Sequence, residues 1–153
     1  MAHNTRQHPA QEPLFEGLQV WHAFLLRKAG QLVTEQAEGV LDPLDMTLRQ
    51  FGVLNVVQSE PGLNQRAVGE KLRIDRTTIV ALVDALEQAG MLERRRGTDR
   101  RSFVLFLTER GEQRLQEARR RMTEVHDHFL QPLSPAERDL LRELLLKVAT
   151  GSA

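Results

Sequence analysis

The chain has 153 residues, one domain's worth with a sizeable core, and its 21 lysines and arginines are matched by 21 aspartates and glutamates. It contains no cysteine, which excludes disulfides, thiolate metal sites and thiol-based redox switches and fits a reducing compartment. No segment approaches the roughly 20 apolar residues of a membrane span, and the opening MAHNTRQHPAQEP lacks a signal peptide's apolar run, so a cytoplasmic protein without membrane contact is expected.

Overall neutrality conceals an asymmetry. Residues 47–110 carry 11 basic and 8 acidic side chains, and Arg94, Arg95, Arg96, Arg100 and Arg101 crowd into eight residues beside a single acid, Asp99. Phosphate contacts need clustered cations rather than a high global isoelectric point, so neutrality does not argue against nucleic acid.

In chain order, residues 1–13 are polar with two prolines and predict a flexible arm. From Leu14 a helical pattern runs through Leu18, Trp21, Leu25 and Leu32, widened by Phe15, Phe24, Leu26 and Val33 and ended by Gly39 and Pro43. Thr47 caps the next helix, with Phe51, Leu54 and Val57 facing inward, until Pro61-Gly62 breaks it. Asn64 then caps a short helix that buries Val68 and Leu72, and Gly69 between them marks a close approach of two helices. Asp75 caps a further helix whose Ile79, Leu82, Val83 and Leu86 form one buried face. Arg76, Thr77, Val80 and Ala81 are left facing outward, with Thr78 at the boundary.

Two strand-like runs follow, Met91–Arg96 and Phe103–Leu107, joined through Gly97-Thr98-Asp99-Arg100. Arg94 to Arg96 alternate along the first strand, so they cannot all meet one partner. A long helix over Glu109–Gln131 carries Leu115, Ala118, Met122, Val125 and Phe129 in a heptad seam. Pro132 stops it, and Ser134-Pro135-Ala136-Glu137 supplies an N-cap, a first-turn proline and a capping box. The last helix, with Leu140, Leu141, Leu144, Leu145 and Val148, is too apolar to have one buried side only.

This order is a helix-turn-helix followed by a hairpin wing, a mostly α fold with a small β element. The wording from Asp75-Arg76-Thr77-Thr78 through Leu92-Glu93-Arg94 and Asp99-Arg100-Arg101-Ser102 to Leu107-Thr108-Glu109-Arg110-Gly111 resembles the DNA-binding core of MarR-type winged-helix transcriptional regulators. The Asp-x-Arg tip followed by Leu-Thr-x-x-Gly is its most specific part. The resemblance implies that the terminal helices of two chains interleave as a homodimer, that Arg101 enters the minor groove with Asp99 holding it, and that a ligand resets the spacing of the two reading heads.

The expected organisation is therefore an arm over 1–13, a dimerisation helix over 14–46, a winged helix-turn-helix over 47–110 and a second dimerisation segment over 111–153. Candidate DNA contacts are Asn64, Gln65 and Arg66 on the first helix of the motif, Arg76, Thr77, Thr78, Val80 and Ala81 on the second, and Arg96, Asp99, Arg100 and Arg101 on the wing. Small and short-polar groups let the backbone approach base edges, methyls can meet thymine, and arginine can fork onto guanine or grip a phosphate. The surplus apolar surface of Leu14, Leu18, Leu140, Leu141, Leu144 and Leu145 points to dimerisation, and a two-fold dimer reads a pseudo-palindromic double-stranded operator.

Trp21, His22, Asp75 and Arg100 are the candidates for an aromatic-acid effector site, where an indole can stack and an arginine pair with the anion. The alternative role for Trp21 is core or dimer packing. His126 and His128 point to different sides of their helix, so neither a metal nor any cofactor is expected. No phosphate loop, nucleophile elbow or metal cluster suggests an enzyme. A repressor relieved by a small aromatic or anionic ligand is the favoured reading; the alternative is a winged helix used for protein or RNA contact without ligand response.

Overall fold

The computed structural model describes residues 16–98 and 102–151. Among these, a 3-10 turn at Glu16–Leu18 precedes helices α1 (His22–Leu41), α2 (Leu48–Ser59), α3 (Gln65–Leu72) and α4 (Arg76–Gln88). Strands β1 (Leu92–Arg96) and β2 (Phe103–Leu107) and helices α5 (Glu109–Phe129) and α6 (Pro135–Thr150) complete the order. The chain divides into two compact units, one ending at Leu32 and one running from Val33.

In the first unit the expected helix from Leu14 does not extend through Leu18 and Trp21. Leu18 sits in the 3-10 turn, and Trp21 precedes α1, its carbonyl accepting from the amides of Phe24 and Leu25. At the other end α1 continues through Gly39 to Leu41. Val20, Trp21, Phe24, Leu25 and Leu26 are exposed. Leu14 and the arm expected over 1–13 lie outside the described residues.

The second unit holds the core. Leu41, Leu44 and Met46 pack with Val53, Leu54 and Val57 of α2, Val68 of α3, Ile79, Val83 and Leu86 of α4, Met91 and Leu92, Leu105 of β2, and Leu115 and Ala118 of α5. The sequence boundary at 46/47 thus falls inside this unit, because Leu41, Leu44 and Met46 are core residues of the reading head.

Every predicted cap in this unit forms. Thr47 accepts from the Gln50 amide, and the Gln50 side chain returns the bond in a capping box. Asn64 accepts from Ala67, and Ser134 closes its box with Glu137. Gly69 is where α3 meets α4: a Cβ there would stand 3.2 Å from both the Ile74 carbonyl oxygen and Ile79 Cγ2.

The two strands pair antiparallel, from Leu92 opposite Leu107 to Arg96 opposite Phe103. The outer edge of β2 is tied down as well. Leu105 N–H donates to the Leu63 carbonyl at 2.8 Å, and Gly62 N–H donates to the Leu105 carbonyl at 3.1 Å. Both backbone groups of Leu105, the central residue of β2, are therefore satisfied on the outer edge, and the wing is fastened to the α2–α3 connection.

Candidate nucleic-acid interface

Helix α4 begins at Asp75, whose Oδ1 accepts from the Thr78 amide at 2.9 Å while Oδ2 accepts from the Thr78 hydroxyl at 2.6 Å. These bonds, the side-chain one first, hold the Asp75 carboxyl below the usual range. The Thr78 hydroxyl is thus committed to the cap, a correction to its standing as a candidate base contact. Arg76, Thr77 and Ala81 are exposed and Val80 is half-buried. They follow the cap on the outward side because Ile79, Val83 and Leu86 claim the inner face.

Two grooves flank this helix. One, of about 490 Å³, runs between α3 and the start of α4 and is lined by Gln65, Arg66, Gly69, Glu70, Ile74 and Arg76. Arg66 donates to Glu70 one turn along α3 at 2.8 Å. The other, of about 480 Å³, lies between α3, α4 and the wing and brings together Asn64, Gln65, Arg66, Val80, Arg94 and Phe103. Of the sequence candidates, Gln65, Arg66 and Arg76 share the first groove and Asn64, Gln65, Arg66 and Val80 the second, whereas Thr77, Thr78 and Ala81 line neither. Asn64 uses its side-chain oxygen as the α3 cap, and the Gln65 carbonyl oxygen accepts from Arg94 at 3.3 Å.

The arginine cluster divides by strand alternation. Arg94 turns inward and forks onto Asp84 Oδ1 at 2.5 Å and onto Glu87. Burial lowers its pKa, but the hydrogen bonds and charges of these two acids outweigh that and leave it raised. Arg95 donates to Glu93 at 2.6 Å and stacks over Phe106, 4.4 Å from the ring centre. Arg96 is exposed at the strand end. Asp99, Arg100 and Arg101 lie outside the described residues.

Sequence reasoning passed over Arg94 and Phe103 as lining groups. Phe103, 52% exposed at the mouth of the wing, could have been found: an aromatic beside an arginine-rich turn has nothing in its own hairpin to bury it.

The Leu107-Thr108-x-x-Gly111 segment is a joint. The Thr108 hydroxyl donates to the Gly90 carbonyl at 2.6 Å and accepts from the Gly111 amide at 3.0 Å, while Thr108 N–H donates to the Met91 carbonyl at 3.1 Å. A Cβ on Gly111 would overlap the Met91 carbonyl oxygen.

A larger cavity, about 750 Å³, lies within the second unit between the later part of α1, the start of α2 and the α3–α4 turn. Leu48, Leu72, Ile74 and Leu82 supply its apolar wall, and Glu38, Arg49, Arg73 and Asp75 its charged rim. Arg73 is held in the left-handed region at φ 52°. Of the four effector-site candidates, Asp75 lines this cavity; Trp21 and His22 are exposed residues of the first unit, and Arg100 is outside the described residues. Among the described residues no cluster of three or more metal-ligating side chains occurs, and no helix is long and apolar enough to cross a membrane.

A two-helix motif with an exposed, capped second helix and a wing anchored beside it defines a winged-helix DNA-binding protein. The MarR family model matches residues 44–102. Among solved structures, the transcriptional repressor CouR bound to a 23-mer DNA duplex is 33% identical, with 90% of this chain and 99% of that one covered and a TM-score of 0.83. CouR bound to p-coumaroyl-CoA gives 32% identity, 90% and 98% coverage and a TM-score of 0.79. The PcaV regulator of Streptomyces coelicolor, in complex with its natural ligand, is 29% identical over 92% of this chain and all of its own, with a TM-score of 0.75. A Thauera aromatica protein named as a regulator of the hcr operon is 35% identical over 99 residues, 64% of this chain and 60% of that protein. The match therefore spans about three fifths of that curated relative.

The chain belongs to the MarR family of winged-helix transcriptional regulators. It is a DNA-binding transcription factor and not an enzyme.

Proposed function

We propose that this protein is a homodimeric repressor that reads a pseudo-palindromic operator with α4 and the wing and is released by a small organic anion. The single observation that carries the reading is the outward side of α4, where exposed Arg76, Thr77 and Ala81 stand beside the groove that α3 and the wing enclose. A helix bearing short side chains with an arginine at its start can lie deep in the major groove. Arg66 and Arg96 flank it as phosphate contacts, and Arg101 reaches the minor groove from the wing tip.

Dimerisation is supported by α6, on which Leu140, Leu144, Leu145 and Val148 stay exposed in the single chain. Residues at i, i+4 and i+8 make one stripe, and a stripe of this size needs cover.

For the effector, the cavity combines apolar walls with the cations Arg49 and Arg73, which share its rim with the carboxylates Glu38 and Asp75. Its volume suits a small aromatic acid. The Asp75 carboxylate, committed to its cap, would repel an anion there, so the arginines are the better anchors. Trp21 and His22, exposed in the first unit, remain proposed effector contacts by themselves, apart from this cavity. CouR, bound to p-coumaroyl-CoA, supports an aromatic acyl effector, and PcaV, bound to its natural ligand, supports control by a ligand.

The test is selection of bound fragments from genomic DNA, followed by titration across a salt series. Affinity for the selected fragment should fall steeply with salt, whereas an apolar protein-binding surface would be insensitive. Arg76→Ala should weaken binding by about 1–3 kcal/mol and change which fragments are preferred. Uniform weakening on all sequences would mean that α4 docks without reading. Salicylate or a hydroxycinnamate should quench the single tryptophan, Trp21, and release DNA over one concentration range; no release by any aromatic acid would overturn the effector assignment.

A further inference from the structure

We propose that Arg94 is a positioning residue that offsets one of the two acidic charges of Asp84 and Glu87 on the recognition helix and ties both carboxylates down beside the DNA-facing groove, and that it makes no phosphate contact itself. The inference rests on the assignment of that groove to DNA made above. Three elements meet at this side chain. Arg94 leaves from β1, lines the groove between α3, α4 and the wing, and donates to Asp84 and Glu87 of α4 and to Gln65 of α3.

The two acids are out of place on a surface that must accept a polyanion. Asp84 and Glu87 remain 47% and 40% exposed, whereas the Arg94 side chain is only 23% exposed. Each carboxylate stands within hydrogen-bond reach of a groove-lining guanidinium, so each lies well within one Debye length, about 8 Å at physiological salt, of a phosphate seated in the groove. Left uncompensated, they would repel the backbone on every sequence. Arginine can prevent this where lysine cannot, because its planar fork serves two carboxylates through separate nitrogens while a third contact fixes its plane. Three of its five N–H donors are engaged, on Glu87, Asp84 and Gln65, and its charge is already matched by two carboxylates, so it is poorly placed to grip a phosphate as well.

Three variants measured on the selected operator fragment decide the matter: Arg94→Met, Asp84→Asn/Glu87→Gln, and the combined triple variant. Arg94→Met should weaken binding by about tenfold or more through the exposed carboxylates. Asp84→Asn/Glu87→Gln should bind at least as tightly as the unmodified chain. The triple variant should match that pair within about twofold, since the charge Arg94 offsets is gone.

If Arg94→Met does not fold, judged by its melting curve, the comparison of the triple variant with the acid pair still decides. A triple variant much weaker than the pair, with a salt slope lower by about one, would mean that Arg94 grips a phosphate and would overturn the proposal. Unchanged affinity for a folded Arg94→Met would overturn it equally. Arg76→Ala in the same assay separates the two levels. If it too leaves binding unchanged, the groove assignment itself has failed; if it weakens binding while the Arg94 series does not behave as stated, only this inference has.

Discussion

At the scale of single residues, the positions that look most like a family signature are not all those that touch DNA. Gly111 and Thr108 belong to the most specific stretch of the sequence, yet their work is to join α5 to the end of α4. The Thr108 hydroxyl bridges the Gly90 carbonyl and the Gly111 amide. Gly111 is required because its Cα lies against the Met91 carbonyl, with the Met91 carbonyl carbon and Cα only 2.9 and 3.2 Å from where a Cβ would sit. Gly111→Ala should therefore shift backbone, not just a side chain, and cost about 1–3 kcal/mol, the range for overpacking. Denaturant unfolding would measure this, and an alanine variant as stable as the parent would show that the joint can yield. The same logic separates Arg94 from Arg96: alternation in β1 sends one into a carboxylate fork and leaves the other exposed.

At the scale of elements, α5 shows how a long helix with little apolar surface along most of its length is held. Leu115, Ala118 and Val125 are buried, and the outer side is laced by ion pairs from Glu117 to Arg120 and Arg121 and from Arg120 to Glu124. Hydrogen bonds from Arg120 and Arg121 lower the Glu117 carboxyl from 4.5 to about 2. A carboxyl with a depressed folded-state pKa contributes stability that is present above its unfolded value and lost as pH falls through the folded one. The contribution of Glu117 should thus be intact at neutral pH and disappear between pH 4.5 and about 2. Glu117→Gln should flatten the acid limb of the melting-temperature profile in that window, and more so at low salt because the site is exposed. Parallel profiles for the variant and the parent would show that this pair network does not bear on stability. Helix α4 behaves differently. It is held by one buried face, the Asp75 cap and the fork of Arg94 onto Asp84 and Glu87.

At the scale of the whole molecule, the single chain carries more apolar surface than it covers. Leu140, Leu144, Leu146 and Val148 on α6 are 53%, 49%, 55% and 74% exposed, values that a helix facing water on its own would not sustain without association. Leu144→Glu should place a charge in the proposed seam and monomerise the protein in light scattering. Loss of operator binding should follow, because a monomer engages only one half-site. A variant that stayed dimeric and bound DNA normally would refute dimerisation through α6. The effector proposal belongs to this scale too, since release requires that a ligand in the cavity by the α3–α4 turn favour a spacing of the reading heads that misses one half-site. A differential affinity of about 1–3 kcal/mol suffices for a 5- to 150-fold change in occupancy.

Local chemistry was legible in the sequence wherever it is local in space. The caps at Thr47, Asn64, Asp75, Thr108 and Ser134 each bond an amide three residues on, so the residue type and spacing alone announce them, and with them the starts of α2 to α6. The two strand runs were legible likewise from the flanking turn, whereas their register, Leu92 opposite Leu107 to Arg96 opposite Phe103, came from the structure. What the tertiary structure alone decided is which outward-facing group meets which. Arg94 and Gln65 are 29 residues apart, and nothing in a strand's alternation says whether an inward arginine will find two acids on a helix or none. Helix α1 failed as a sequence reading for a related reason: its apolar residues recur at helical spacing before Gly17 as well as after. Periodicity cannot register the core contacts that draw Ala37 and Leu41, but not Trp21, into the interior. Hydrogen bonds that close over three or four residues are properties of the chain; burial and charge pairing between distant segments are properties of the packing.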